Sequence, residues 1–219
     1  MSSLDGPAMT VQVTSSNGAT RSWSLPQALL SHHSGYFMRA AHFREGTQMV
    51  KLTNYEPRIF EMFVQFVYYG TYVDRDDLKD DTRVRDSAKA WVLGDYLDVP
   101  GLKQAAIDSL FKVHIPIKLT KTAQSSFGPE AVRYCCENSA PSSSLYEFYL
   151  GAAAAYWRHK NIVRYNDANQ KDWDAIWDNF PDFRNKLLRL MTRLPEEKVE
   201  ENTTLDLRKR MANMDRTEA

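Results

Sequence analysis

The sequence has few cysteines and no long apolar segment. Its two cysteines, Cys135 and Cys136, are neighbours and cannot build a disulfide framework, so we expect a reducing compartment. No 18-residue apolar run exists, and residues 1–20 lack the basic and apolar regions of a secretion signal. These absences predict a cytoplasmic or nuclear protein that does not enter a membrane.

The sequence also has no excess of charge of either sign. Lys plus Arg and Asp plus Glu both number 28, which gives a formal net charge of zero. Nucleic-acid-binding domains usually carry a net basic field or a concentrated basic face. We therefore expect no direct contact with nucleic acid.

Motifs for catalysis are absent as well. The sequence contains no G-x-S-x-G, no phosphate-binding G-x-x-x-x-G-K-[ST] and no G-x-G-x-x-G. His32 and His33 are adjacent, so on a helix they point about 100° apart, and neither has a ligand four residues on. We expect no catalytic residues, no metal site and no cofactor.

Apolar residues make up 43% of the chain, enough to form a sizeable core. Alternating runs flank Asn17-Gly18 and predict a β-hairpin. Further along, apolar residues recur at helical spacing, and the helix containing Ile59 to Val67 is apolar on nearly all sides, which predicts a central position. Two further short strands are predicted, at 49–52 and 71–73, and Gly35 is predicted to separate two short helices. The remaining predicted helices lie at about 83–97, 100–113, from 129, 145–165 and 173–190, and the last is broken at Pro181.

This order predicts an α/β (α+β) fold in which a short β-sheet packs against a cluster of α-helices and an all-α C-terminal extension follows. The predicted domains are a flexible N-terminus at 1–8, the α/β domain at 9–115, the helical extension at 116–194 and a charged, disordered tail at 195–219.

Several segments of the α/β domain carry a recognisable pattern. Residues 23–37, WSLPQALLSHHSGYF, place a leucine pair ahead of S-x-x-F. Phe43-Arg44-Glu45-Gly46 precedes Val50-Lys51-Leu52, and residues 57–70 read P-x-x-F followed by F-V-Y-Y-G. Residues 92–103 supply V-L-G-D-Y-L, a proline and Leu-Lys. Together and in this order, these segments resemble the BTB/POZ domain family over about 105 residues.

The resemblance implies a BTB/POZ fold and a non-catalytic protein-protein interaction module. The extension, with Ala131-Val132-Arg133-Tyr134 before a serine-rich loop, resembles the filamentous-fungal branch of the family. One position departs from the pattern: Pro26 stands where the family usually has a histidine at the strand-to-helix corner. Any role that depends on that histidine is not expected here.

The resemblance also implies candidate partners. Family members that bind a cullin often carry a hydrophobic-x-Glu motif after the second helix, and Phe43, Arg44 and Glu45 match it. They are the candidate partner-binding residues for a cullin-RING ubiquitin ligase, with the chain as substrate adaptor. The alternative is that Phe43 fills the local core and Glu45 is simply solvated. For the whole chain, the alternative function is a transcription or chromatin scaffold that acts through partner proteins.

Self-association is expected to be weak. Long BTB dimers exchange an element ahead of the first core strand, and only eight residues precede Met9. Leu29 and Leu30 are the candidate self-association face, because an isologous contact needs only one self-complementary patch. We expect a monomer or a weak homodimer.

Overall fold

The computed structural model describes residues 6–43, 49–75, 83–115 and 123–193. Within these residues the chain forms three strands and nine helices, which confirms a mixed α/β architecture. In chain order the elements are β1 (Ala8–Thr14), β2 (Thr20–Pro26), α1 (Gln27–His33), α2 (Gly35–Phe43), β3 (Met49–Thr53), α3 (Pro57–Tyr69), α4 (Asp86–Tyr96), α5 (Pro100–His114), α6 (Pro129–Asn138), α7 (Ser144–Tyr156), α8 (Gln170–Asn179) and α9 (Pro181–Arg193).

The three strands form one sheet in the order β2-β1-β3. β1 pairs antiparallel with β2 through the predicted hairpin and parallel with β3. Gly18 has a φ of 85°, a left-handed conformation that glycine adopts without strain, and the Ala19 amide donates to the Asn17 side chain at 3.1 Å. Met9, Val11 and Val13 are buried on one face of β1, as their alternation predicts.

Two predictions of secondary structure are wrong. Residues 71–73 are not a strand: the Val73 amide donates to Oε1 of Gln65 at 2.9 Å instead of pairing with a neighbouring strand. The helix predicted to reach residue 165 ends at Tyr156. The chain leaves the helix and pairs with Phe127, whose amide donates to the Ile162 carbonyl and whose carbonyl accepts from Arg164.

The chain divides into two compact units that interleave along the sequence. Unit 1 comprises Met1–Asp74 and Lys89–Ala105, and unit 2 comprises Arg75–Ala88 and Ala106–Ala219. Of the three borders, one lies between Asp74 and Arg75, and the other two fall inside α4 and α5. The sequence-based domain boundary at residue 115 stays a prediction.

Unit 1 is built around an aliphatic and phenylalanine core. The Phe63 ring lies 5.2 Å from Phe60 and 6.0 Å from Phe37 between centroids, and all three side chains are fully buried. α3 supplies two of these rings because its apolar positions recur at helical spacing. The buried members of this core are Met9, Val11, Val13, Leu25, Leu29, Leu30, Phe37, Val50, Leu52, Ile59, Phe60, Met62, Phe63, Val67, Ala90, Leu93, Leu97, Val99 and Leu102.

Unit 2 is helical and packs around α7. Ser143 caps α7 by accepting a hydrogen bond from the Tyr146 amide at 3.2 Å. Phe148 and Tyr149 are buried on this helix, and Phe111 meets Phe148 edge to face at 4.9 Å. α7 is buried on almost every side, so it is the central element of this unit. No helix in the described part of the chain has both the length and the apolar character needed to span a bilayer.

Candidate functional site

The predicted partner-binding residues are Phe43, Arg44 and Glu45. Arg44 and Glu45 lie outside the described residues, and so does the side chain of Phe43, the last residue of α2. Their contact with a cullin stays a prediction. In sequence, Phe43 ends α2, and Arg44 and Glu45 follow it on the way to β3.

The predicted self-association residues are part of the core. Leu29 is 6% exposed and Leu30 is 0% exposed, and both belong to the hydrophobic core of unit 1. Neither side chain is available at the surface of this chain, because each is already covered by its own unit. Whether a second copy binds beside α1 stays a prediction.

Ser34 organises the start of α2. Its hydroxyl donates to the Leu97 carbonyl at 2.6 Å and accepts from the Phe37 amide at 3.2 Å. The second bond is the usual N-cap interaction of serine, and it satisfies an amide that the helix leaves unpaired. The serine of the S-x-x-F motif thus joins two distant parts of unit 1, while Phe37 enters the core.

Gly35 lets α2 approach the segment after α4. Its amide donates to the Asp98 carbonyl at 3.1 Å, and a Cβ atom at Gly35 would overlap the Asp98 carboxylate. The same carboxylate accepts from Arg39 at 3.2 Å. Because both members of this ion pair are more than half exposed, the pair orients the junction more than it stabilises it.

Exposed aromatic residues cluster where α3 ends. Tyr69 is 77% exposed, Tyr68 is 43% exposed, and their ring centroids lie 6.4 Å apart. Val73 is 60% exposed, and its backbone N–H donates a hydrogen bond to Oε1 of Gln65, a residue one helical turn before Tyr69. We call Tyr68, Tyr69 and Val73 the tyrosine patch. Tyr68 and Tyr69 are part of the motif at residues 57–70, but the sequence pattern does not predict their exposure.

A second group of tyrosines lies elsewhere in unit 1. The Tyr96 ring is 5.3 Å from both Tyr36 and Tyr55. Burial raises the pKa of Tyr55 to about 12, with smaller contributions from Tyr96, Tyr36 and Asp95. Burial disfavours the charged phenolate, so Tyr55 stays neutral at physiological pH and acts through packing.

Residue types that could do chemistry are dispersed. Among the described residues, no three His, Cys, Asp or Glu side chains come together in a group that could hold a metal ion. The His32 and His33 rings contact each other edge to face at 4.8 Å. Cys135 is fully buried, and this burial raises the pKa of its thiol well above the ordinary value, which disfavours the reactive thiolate.

Comparison with known proteins adds no relative. No family model matches the chain, and a search of curated proteins finds no match either. Assignment of a family or a function therefore rests on the motifs and the contacts described above.

Proposed function

We propose that the chain is a non-catalytic protein-protein interaction module of the BTB/POZ type. The observation that carries the proposal is the position of the motif residues. Those that resemble the family are spread over some 75 residues of sequence, yet they meet in one core. The motif residues in this core are Leu29, Leu30, Phe37, Val50, Leu52, Ile59, Phe60, Val67, Leu93, Leu97 and Leu102.

The order of elements supports the same class. A hairpin, two short helices, a third strand parallel to the first, and a core helix follow one another in unit 1. The resemblance implies this order. The sequence predicts it as well, but it also predicts a strand at 71–73 that the structure does not contain. Ser34 and Phe37 supply a physical reason for the S-x-x-F motif, since one caps α2 and the other fills the core.

Within this class we propose a substrate adaptor for a cullin-RING ubiquitin ligase. The cullin would bind near Phe43, Arg44 and Glu45, the hydrophobic-x-Glu motif. A second surface is then needed for the substrate, and the tyrosine patch offers exposed tyrosine rings, a residue type enriched in protein interfaces.

Affinity purification from native cells tests this function. The wild-type chain, the double variant Phe43→Ala, Glu45→Ala and the control Met38→Ala would be compared, with bound proteins quantified by mass spectrometry. Met38 lies on α2, like Phe43, and is 44% exposed, so its truncation controls for loss of apolar surface. We expect a cullin and its RING partner with the wild type and the control, and their loss with the double variant.

Two other outcomes would contradict the adaptor function or the residues assigned to it. Chromatin proteins in place of a cullin would favour a transcription scaffold. A cullin retained equally by all three chains would show that Phe43 and Glu45 do not bind it.

A further inference from the structure

An aromatic cluster in unit 2 has no role in the function proposed for unit 1. Trp157, at the end of α7, lies 5.0 Å from Trp173 and 5.7 Å from Trp177 between ring centroids. Trp173 and Trp177 stack on each other at 5.2 Å with 21° between their planes. Tyr165 completes the cluster, 5.4 Å from Trp157.

The four rings differ in exposure. Trp173 is fully buried, and its indole Nε1 donates to the Arg164 carbonyl at 3.0 Å, so it forms the floor of the cluster. Trp157 and Trp177 are half-buried, and Tyr165 is 36% exposed. Solvent therefore reaches the outer parts of two tryptophans and one tyrosine.

Two exposed carboxylates lie on α8, and Asp174 is next to Trp177. Asp174 lies three residues before Trp177 and four before Asp178, spacings that make it a neighbour of both on the helix, whereas Asp178 and Trp177 are adjacent in sequence and point about 100° apart. Both carboxylates are exposed, and within the described chain neither forms an ion pair, whereas Asp172 on the same helix lies 3.7 Å from Arg133. These two exposed carboxylates outnumber the one cation of α8, Lys171, which lies three residues before Asp174.

The positive charges nearby are placed differently. Arg184 donates to the Trp177 backbone carbonyl at 3.2 Å, and among the described residues no cation lies over the Trp157 or Trp177 ring. Arg158 and Lys160 follow Trp157 in sequence. A bound cation is therefore favoured at the α8 side of the cluster and disfavoured at the Trp157 end.

Unit 1 contains the same combination of groups with its cation in place. The guanidinium carbon of Arg21 lies 4.9 Å from the centroid of the half-buried Trp23 ring. The same guanidinium donates to Glu61 at 3.0 Å. This chain therefore shows how an arginine uses a tryptophan face and a carboxylate together.

We propose that Trp177, Asp174 and Asp178 bind an arginine side chain in a basic segment of a partner protein. The guanidinium would stack on the exposed part of Trp177 and donate to the two carboxylates. A quaternary ammonium fits less well, because it has no N–H group to donate to the carboxylates and the rings leave no space between them for a cation. The rings here are 5.0 to 5.7 Å apart and already in contact.

Peptide titration of the full chain tests the proposal. The probe is a capped peptide of alternating arginine and glycine, with matched peptides that carry citrulline, lysine or trimethyl-lysine in place of arginine. Binding would be followed by calorimetry and by the indole N–H signals of the tryptophans. The variants are Asp174→Asn and Trp177→Leu. Asp172→Asn is the matched control for Asp174→Asn, since each removes one carboxylate charge from the same helix.

We expect the arginine peptide to bind most tightly and to shift the Trp177 indole signal. Asp174→Asn should weaken binding about tenfold, the effect of losing a charge-assisted hydrogen bond, and Asp172→Asn should change it less than about twofold. Equal losses in the two would show non-specific charge attraction and overturn the proposal. So would equal affinity for citrulline, tighter binding of trimethyl-lysine, or no binding up to about 1 mM.

Discussion

The two units differ in what they leave exposed. Large hydrophobic side chains at the described surface are mostly in unit 1, namely Met38, Met49, Tyr68, Tyr69, Val73 and Tyr96, whereas unit 2 exposes Tyr165 and Leu188. Apolar and aromatic surface that a chain does not bury itself is available to a partner. Unit 1 therefore leaves more large hydrophobic surface exposed among the described residues, and unit 2 uses most of its aromatic residues internally.

The interiors differ as well. Among the described residues, unit 1 fully buries one side chain of the tyrosine and tryptophan type, Trp91, whereas unit 2 fully buries Tyr149, Tyr156 and Trp173. A buried indole or phenol needs a hydrogen-bond partner, and Trp173 has one in the Arg164 carbonyl. Packing volume should therefore dominate the stability of unit 1, and polar contacts should add measurably to that of unit 2.

The largest effect is expected in the core of unit 1. Phe63→Ala should lower the free energy of unfolding by about 3 to 5 kcal/mol, because its fully buried ring leaves a cavity. Urea denaturation measures this loss. Tyr69→Ala, at a 77% exposed position of the same helix, is the control and should cost less than about 1 kcal/mol. A loss below about 1 kcal/mol for Phe63→Ala would contradict the central position of α3.

A smaller effect is expected from the polar contact in unit 2. Trp173→Phe keeps an aromatic ring but removes the indole donor, so it should cost about 1 to 3 kcal/mol in chemical denaturation. Trp177→Phe, at a half-buried position of the same helix, should cost less. Equal losses would mean that the buried hydrogen bond does not distinguish the two positions.

The Ser34 hydroxyl should contribute less to the free energy of unfolding than the Trp173 hydrogen bond. Ser34→Ala removes both the cap of α2 and the bond to Leu97, and we expect a loss of about 1 to 2 kcal/mol. Ser24→Ala, at an exposed position of β2, is the matched control and should stay within about 0.5 kcal/mol of the wild type. If the two substitutions behave alike, the serine of the S-x-x-F motif has no structural role here.

The smallest effect concerns alkaline pH. The pKa of Tyr55 is raised to about 12 in the folded chain from an ordinary value of 10.0. Between these values the folded chain keeps a proton that the unfolded chain has lost, so stability falls as the pH rises through this window. Tyr55→Phe should make the denaturation midpoint less dependent on pH there. An unchanged slope would show that burial does not protect the phenol.

The sequence predicts local structure better than long-range contacts. The hairpin at Asn17-Gly18 and the core helix α3 follow from turn residues and apolar spacing. The strand prediction at 71–73 is wrong because the Val73 amide is taken by Gln65, a contact that no periodicity encodes. The same holds for Ser34 and Leu97, which are 63 residues apart in sequence.

Candidate surfaces were harder to predict. Leu29 and Leu30 are apolar at helical spacing, and the pattern does not say whether such a face meets its own core or a second chain. The tyrosine patch depends on where α3 ends, which the left-handed Gly70 cap fixes. The Trp177 site needs α7 and α8 to meet, and sequence spacing reveals only its aspartates.

We propose that unit 1 binds a cullin through residues near Phe43 and Glu45. Calorimetric titration of the purified chain with recombinant amino-terminal domains of cullins tests it most directly. We predict equimolar binding to one cullin, at least about tenfold weaker for Phe43→Ala with Glu45→Ala and within about twofold of the wild type for Met38→Ala. Absence of binding to every cullin, or equal binding by the wild type and the double variant, would contradict the claim.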